Sequence, residues 1–375
     1  MSSSRPKTPA AFITSAVFSA SEWPANHPLS ISRHQNVMDV CRMLGWLHDD
    51  ELAVCEPATE AVLTRLHEPG YVTALEVVSQ IGKVTIAQRE AFNFGTMENP
   101  VFTGLFDRAA ATVSGSVLAA ELSLEGRQVF HPAGGTHHGR PDRASGFCYF
   151  NDPAFAIQTL LDSGCAKVVY LDLDAHHGDG VESIFASNAR VLCVSIHEEK
   201  RWPHTGQLAD RAGGFARNLP VPKGFNDAEL AFLMTEAVLP LIARFDPDAV
   251  VMTCGADALA GDPLSGMELG NEGLWSAIDS VREAVPVSVC LGGGGYNPWT
   301  VTRFWSGLWG RLAGYPPAPE QLPDDVQAYL SRLGCDLIDE DEVEPHWLNS
   351  FADPAQHGQA VRDAVRALVP AVLAG

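Results

Sequence analysis

Residues Lys167–Gly180 read KVVYLDLDAHHGDG. The first half, Lys167–Leu173, is apolar almost without alternation, the pattern of a strand buried on both faces of a parallel sheet. The second half turns abruptly to charge. Asp172, Asp174 and His176 are spaced by two, so in an extended segment all three project to one side, His177 points the other way, and Gly178 permits a sharp turn before Asp179. Similar short runs recur at Ala11–Phe18, Gln128–Phe130, Arg190–Ile196, Ala249–Thr253 and Pro286–Leu291. Helical patterns lie between them. Val37, Val40, Cys41, Leu44 and Leu47 form an apolar stripe of helical period. Asp152 is placed to cap a helix with Pro153 at its first position and Gly164 past its end. Asn226 with Glu229 resembles a capping box opening a helix that runs to about Phe245. Strands alternating with helices predict an α/β fold: one domain, a mostly parallel multi-stranded sheet flanked by helices.

Composition supports a globular chain. Of 375 residues, 46% are hydrophobic and 19% charged, too apolar for disorder. No apolar run approaches the ~20 residues needed to cross a bilayer, so no membrane role is expected. Arg5 and Lys7 before Ala10–Ala20 loosely resemble a signal peptide, but Thr14 and Ser15 break the run, which reads better as a first strand. The net charge of −21 repels phosphate backbones and speaks against a nucleic-acid partner, while tolerating cationic substrates. Eight cysteines are scattered without a C-x-x-C, several inside apolar runs, which fits reduced packing residues and a cytoplasmic setting. No linker divides Ala11 from Leu312. The Pro-rich stretch GYPPAPEQLPDD and the acidic DLIDEDEVE follow. We therefore expect a catalytic domain over 1–312 and a C-terminal appendage, 313–375, packed on it.

Chemistry gathers at strand ends. Seven of the 13 histidines (His131, His137, His138, His176, His177, His197 and His204) fall between 131 and 204. Five predicted strands end in polar clusters: HPAGGTHHG, DLDAHHGD, SIHE, CGAD and GGGGYN. In open α/β sheets, ligands bind outside the carboxyl ends of the strands. Asp174 and His176 suit a metal, and Asp257, which follows another strand, is the best third ligand. Two carboxylates and a neutral imidazole balance a divalent ion and leave a position open for water. Zn²⁺ fits this set, as do Fe²⁺ and Mn²⁺. A water so bound still needs a base, and the pair His137–His138 can provide one. Asp172 and Asp179 remain as carboxylates to orient these rings. Gly292–Gly295 lets the backbone approach a ligand closely, and Tyr296 then presents a phenol as a donor to an oxyanion. Serine-hydrolase, P-loop, zincin and dinucleotide-binding motifs are missing from the sequence.

These strings, HPAGGTHHGRPDRASGFCYFND, VVYLDLDAHHGDGVESIF, VSIHE, CGADALAGDPL and LGGGGYNPW, resemble in order the histone deacetylase superfamily, close to its class I and acetoin-utilisation branch and related to the acetylpolyamine amidohydrolases. The resemblance spans about Ala11 to Leu312. It implies Asp174, His176 and Asp257 as metal ligands, and His138 as general base beside His137. It pairs Asp172 with His137 and Asp179 with His138, and gives Tyr296 the task of polarising the acetyl carbonyl. Gly146 and Phe147 match one wall of an acyl-lysine tunnel, and Trp202 matches the aromatic opposite. His204 stands where the family has Gly, which predicts a reshaped rim. Glu98 takes the place of an Asp that holds the substrate backbone, and Gly294 is a further substrate-binding position. Asp172, Asp174, His176, Ser195 and Ile196 match a structural K⁺ site, and Arg33 loosely matches an Arg on an acetate-exit channel. The implied activity is zinc-dependent hydrolysis of acetyl-lysine or of related acetylated amines, polyamines included.

Two rivals differ in kind. Arginase-like enzymes use D-x-H-x-D loops for two Mn²⁺; here His177 and Gly178 interrupt that pattern. A non-enzymatic acetyl-lysine reader would lack a ligand or the tyrosine, and neither is missing.

Overall fold

The computed structural model describes residues 10–20, 23–354 and 360–374. Arg5 and Lys7 lie outside them. The described residues build one eight-stranded sheet in the order β2-β1-β3-β8-β7-β4-β5-β6, with all of these pairings parallel. The strands are β1 (Ala11–Thr14), β2 (Leu52–Val54), β3 (Val129–His131), β4 (Val168–Asp172), β5 (Val191–Glu198), β6 (Ala216–Val221), β7 (Ala249–Thr253) and β8 (Val287–Leu291). Both faces are covered, which is why the central strands carry so little polar alternation. Val169 and Leu171 of β4 join Val250, Met252 and Cys290 on one face, under helices Arg33–Met43, Asn271–Ala284 and Pro298–Leu312. Val168 and Tyr170 join Val251, Val289 and Ile157 on the other, under helices Leu105–Leu124 and Asp152–Asp162. Because all strands run one way, every carboxyl end meets the same edge, and loops 132–151, 173–178, 254–270 and 292–297 converge there.

The fold differs from the sequence reading in places with clear causes. The first strand stops at Thr14, and Val17–Ala20 turns into a short helix as the Phe18 N–H donates to Ser15 O. β5 runs two residues further than expected, so His197 and Glu198 are strand residues. β2 and β6 were not anticipated: β2 is three residues long, and β6 interrupts its apolar pattern with Arg217 and Asn218. Both lie at sheet edges, where Pro220 of β6 is tolerated. The helix after Asn226 carries a π segment at Met234–Val238, just where Pro240 lacks an N–H and crowds the preceding turn.

The cap of helix Asp152–Asp162 is Asn151, not Asp152. The Asn151 side chain accepts the Ala154 N–H at 3.1 Å and donates to His137 O and Gly139 O. Asp152 is thereby freed to accept the N–H groups of Gly135 and Thr136 at 3.0 and 2.7 Å. One helix start thus holds both ends of the tandem-histidine loop.

Residues beyond 312 add Val326, Leu330, Trp347, Phe351, Val365 and Val372 to the same core cluster as β4 and β7. Arg362 fastens this tract by pairing with the fully buried Glu229. Among the described residues, no helix is long and apolar enough to cross a membrane.

Candidate active site

The strand ends place the site. β4 finishes at Asp172, and the chain then bends rather than continuing extended, so Asp172 parts from Asp174 and His176. Its carboxylate accepts the Asp174 N–H at 3.1 Å and the Tyr170 hydroxyl at 2.8 Å. Asp174 in turn accepts the N–H of His176 at 2.9 Å and of Gly294 at 2.6 Å. Asp257, in the turn after β7, accepts the Ala175 N–H at 3.1 Å. Three loops are thus knitted around one point. There, ligand atoms of Asp174, His176 and Asp257 lie within 4.8 Å of one another, and all three residues are buried. Ligands about 2.1 Å from a common ion span a comparable distance.

The electrostatics call for a cation. Burial, and then the charge of Asp174, push the Asp257 carboxyl up to about 6. His176 works against its own burial: Asp174 and Asp257 hold its pKa up to about 10. Its Nδ1 sits 2.9 Å from Asp257 Oδ2 and 3.2 Å from Asp174 Oδ1. Two buried carboxylates sharing one imidazolium proton are a natural seat for a divalent ion in that proton's place. The donor set fits the metal the sequence implied. Gly294 is where it is because a Cβ there would come within 2.1 Å of Asp257 Oδ2.

Beside this triad stand the tandem histidines, ring centroids 3.9 Å apart. His137 Nδ1 is 2.7 Å from Asp172 Oδ2, and His138 Nδ1 is 2.7 Å from Asp179 Oδ1. Arg140 pairs with the other oxygen of Asp179. With both Nδ1 atoms engaged, Nε2 is the free edge of each ring, and His137 Nε2 lies 3.8 Å from Asp174 Oδ1. Burial would lower His137, yet the carboxylates of Asp172 and Asp174 hold it up to about 9. Burial and the neighbouring His137 push His138 down to about 3 despite Asp179. His177 turns away, to Thr205 at 2.9 Å and Glu182 at 3.1 Å.

A cavity of about 650 Å³ reaches this point from the surface, lined by Phe147, Trp202, His138, His176, Leu264 and Tyr296 among others. Tyr296 packs on Phe147 at 5.9 Å. Burial first, then Asp257 and Asp174, raise its phenol well above the usual range, so the hydroxyl keeps its proton. Glu98 stands at the rim, its carboxylate accepting the Gly146 N–H at 2.5 Å. His204 also reaches the rim, with φ at 63°, a conformation that favours glycine. Ser195 is the register partner of Asp172, which puts Ser195 and Ile196 of β5 next to the loop after β4. Arg33 lies beneath the glycine loop, donating to Gly293 O at 2.8 Å and Gly295 O at 3.3 Å, against a small cavity of about 60 Å³. A larger cavity, about 770 Å³, is lined by residues of loop 259–271 and by neither the triad nor the tandem histidines.

Gly146 separates two walls. It has φ +54, and a Cβ on it would meet the Trp202 ring at 2.4 Å and His138 Cδ2 at 2.5 Å. Gly146→Ala is expected to displace one wall or the base and cost ~10²-fold in kcat/KM, by the sensitivity of reacting geometry to shifts of about 1 Å. Steady-state kinetics on the variant, with its Tm, checks this.

Leu264 was not singled out in the sequence, although it borders the cavity; a lone Leu in GDPL carries no signal that distinguishes a tunnel wall from core. Nor did the sequence reveal that Asp152 orders the histidine loop.

Comparison with known proteins agrees with this geometry. Residues 27–312 match the histone deacetylase domain. The acetoin utilization protein AcuC of Bacillus subtilis (strain 168) is 32% identical over 360 residues, covering 92% of this chain and 90% of the relative. Histone deacetylase clr6 of Schizosaccharomyces pombe is 35% identical over 317 residues, covering 81% of this chain and 77% of the relative. The crystal structure of an HDAC homolog from Aquifex aeolicus superposes with a TM-score of 0.91 at 32% identity, over 97% of this chain and all of that one. A crystal structure of an HDAC homolog complexed with SAHA matches equally well. With matching sequence motifs, matching fold and three strand-end loops meeting at one buried Asp/His triad, this chain belongs to the histone deacetylase family and is an amidohydrolase.

Proposed function

We propose that this chain is a zinc-dependent deacetylase that hydrolyses the acetyl amide of lysine side chains, or of related acetylated amines, and releases acetate. The observation that carries the reading is that His138 and Tyr296 line one cavity with Phe147, Trp202 and His176, and that His176 belongs to the cluster with Asp174 and Asp257. A Zn²⁺ ion held by these three residues would polarise the amide carbonyl and make a water nucleophilic near neutral pH. Phe147 and Trp202 form a slot for an extended alkyl stem, and Glu98 offers a carboxylate at the mouth. His138 takes the proton of the attacking water at Nε2, with Asp179 fixing the ring through Nδ1. Tyr296 donates its hydroxyl hydrogen bond to the oxyanion as the water oxygen bonds to the carbonyl carbon. The C–N bond then breaks, a proton held on the histidine pair passes to the leaving nitrogen, and acetate and free amine remain.

The remaining assignments belong to the same proposal. Asp172, Asp174, His176, Ser195 and Ile196 would hold a structural K⁺. Arg33 would face departing acetate, Gly294 would lie along the acyl group, and the catalytic unit would run over 1–312 in the cytoplasm. Among the described residues a single Asp/His triad of ligand spacing is found, which favours one ion over the paired Mn²⁺ of arginase-like enzymes.

The test is a panel of acetyl-lysine peptides and acetylated polyamines, assayed before and after chelation. Acetyl-lysine turnover that chelation abolishes and one Zn²⁺ per chain restores is expected. Turnover that persists after complete metal removal overturns the reading. Preference for the polyamines would move the substrate to small amines while leaving the chemistry unchanged.

A further inference from the structure

Tyr296 is delivered by four consecutive glycines, Gly292–Gly295, two of them at positive φ (145° for Gly293, 140° for Gly295). Such a segment has no side chains to lock its own path, so the phenol must be fixed by something outside it. Asp174 and Arg33 hold the backbone of Gly293–Gly295, and a further carboxylate, Asp262, holds Tyr296 itself. Asp262, 5% exposed, accepts the Tyr296 N–H at 2.7 Å through Oδ2 and the Leu264 N–H at 2.9 Å through Oδ1. The two residues it grips lie on the same cavity, which Asp262 itself does not line. It belongs instead to the larger cavity.

The grip continues outward. Leu264 O accepts Arg201 Nη1 at 2.8 Å, Arg201 is ion-paired with Glu198, and Glu198 accepts the Gly266 N–H at 2.7 Å. Glu198 is itself buried, at the end of β5. Loop 262–266 is therefore clasped on one side to the strand that leads to Trp202, and on the other to the backbone of Tyr296. A carboxylate withdrawn from water is costly unless its oxygens are satisfied, and bonds from N–H groups to a carboxylate are stronger than neutral ones. That cost, placed directly behind a glycine-borne phenol, is what a positioning device looks like.

We propose that Asp262 is a positioning residue for catalysis: it lies outside both the cavity lining and the ligand triad, and sets the Tyr296 hydroxyl and the Leu264 wall in register with each other. The proposal rests on the deacetylase reading, because it acts through the oxyanion donor.

The experiment is a double-mutant cycle on the full chain loaded with Zn²⁺, using an acetyl-lysine peptide: Asp262→Ala, Asp262→Asn, Tyr296→Phe and the combinations. Asp262→Ala is expected to lower kcat about 10²-fold, as loss of an oxyanion donor does, with KM little changed. Asp262→Asn keeps one acceptor oxygen but turns an NH₂ toward the second N–H, so it should fall between. Combined with Tyr296→Phe, either change should cost no more than about twofold further, because the phenol through which it acts is already gone. Amide exchange at Tyr296 should quicken in Asp262→Asn, a readout that needs no turnover. If Asp262→Ala does not fold, the cycle built on Asp262→Asn gives the same answer. Wild-type kcat in a folded Asp262 variant, or losses that multiply in the double variants, would overturn the proposal. An inactive wild type would strike the deacetylase reading instead, and unchanged Tyr296 amide exchange in Asp262→Asn would then overturn the positioning role as well.

Discussion

Asp257→Asn is expected to lower acetyl-lysine turnover by ~10³-fold or more and to leave the purified chain with far less than one Zn²⁺. The substitution is nearly isosteric. Its oxygen still accepts the Ala175 N–H, so the loop that follows β7 keeps its path. What changes is charge. The triad loses one of two carboxylates, and a neutral amide oxygen is a much poorer ligand for a divalent ion. It also loses a carboxylate that burial and the charge of Asp174 disfavour, which offsets the lost pairing with His176, so the Tm of the metal-free chain should change little. Metal content after gel filtration, Tm without metal and kcat form the measurement. Full zinc and wild-type turnover in this variant would show that Asp257 is not a ligand.

Tyr296→Phe should cost ~10²–10³ in kcat, with a smaller change in KM and an unchanged fold. The ring packs on Phe147 and is almost fully buried, so phenylalanine fills the same space. Only the hydroxyl is lost. Burial and the nearby carboxylates hold that phenol protonated at any working pH, which makes it a hydrogen-bond donor and not a base. A donor aimed where charge develops stabilises the transition state more than the ground state, so the loss appears in kcat. A KM effect alone would mean that Tyr296 binds substrate without assisting the reaction.

Much of this architecture was legible along the chain, for reasons visible in particular residues. β4, β7 and β8 sit in the middle of the sheet, both their faces meet helices, and Val-Val-Tyr-Leu or Ala-Val-Val-Met leaves no other way to bury so much apolar surface. Their ends carry DLDAHHGD, CGAD and GGGGYN, and parallel strands bring those ends to one edge. Edge strands gave no such signal. β2 needs only three residues, and β6 tolerates Arg217, Asn218 and Pro220 because one of its sides has no strand to satisfy. At the helix start, Asn151 and Asp152 are equally good caps by type, and which one turned inward depended on the histidine loop lying across them. Asp172 was legible as a carboxylate left over from the metal set, but the bend that takes it away from Asp174 and His176 was not.

The sequence by itself determined the parallel sheet, the edge at which chemistry collects and the residue types gathered there, because burial on two faces and strand direction are local consequences of composition and order. The residues of the triad and the pairing of Asp172 with His137 were already readable from motifs and resemblance; only the tertiary structure decided which oxygen faces which proton, and that Asp262 holds the backbone of Tyr296. Those choices join positions up to 83 residues apart in the chain for Asp257 and Asp174, and 34 apart for Tyr296 and Asp262. They are settled by packing many loops at once, a sum of contacts that no single stretch contains.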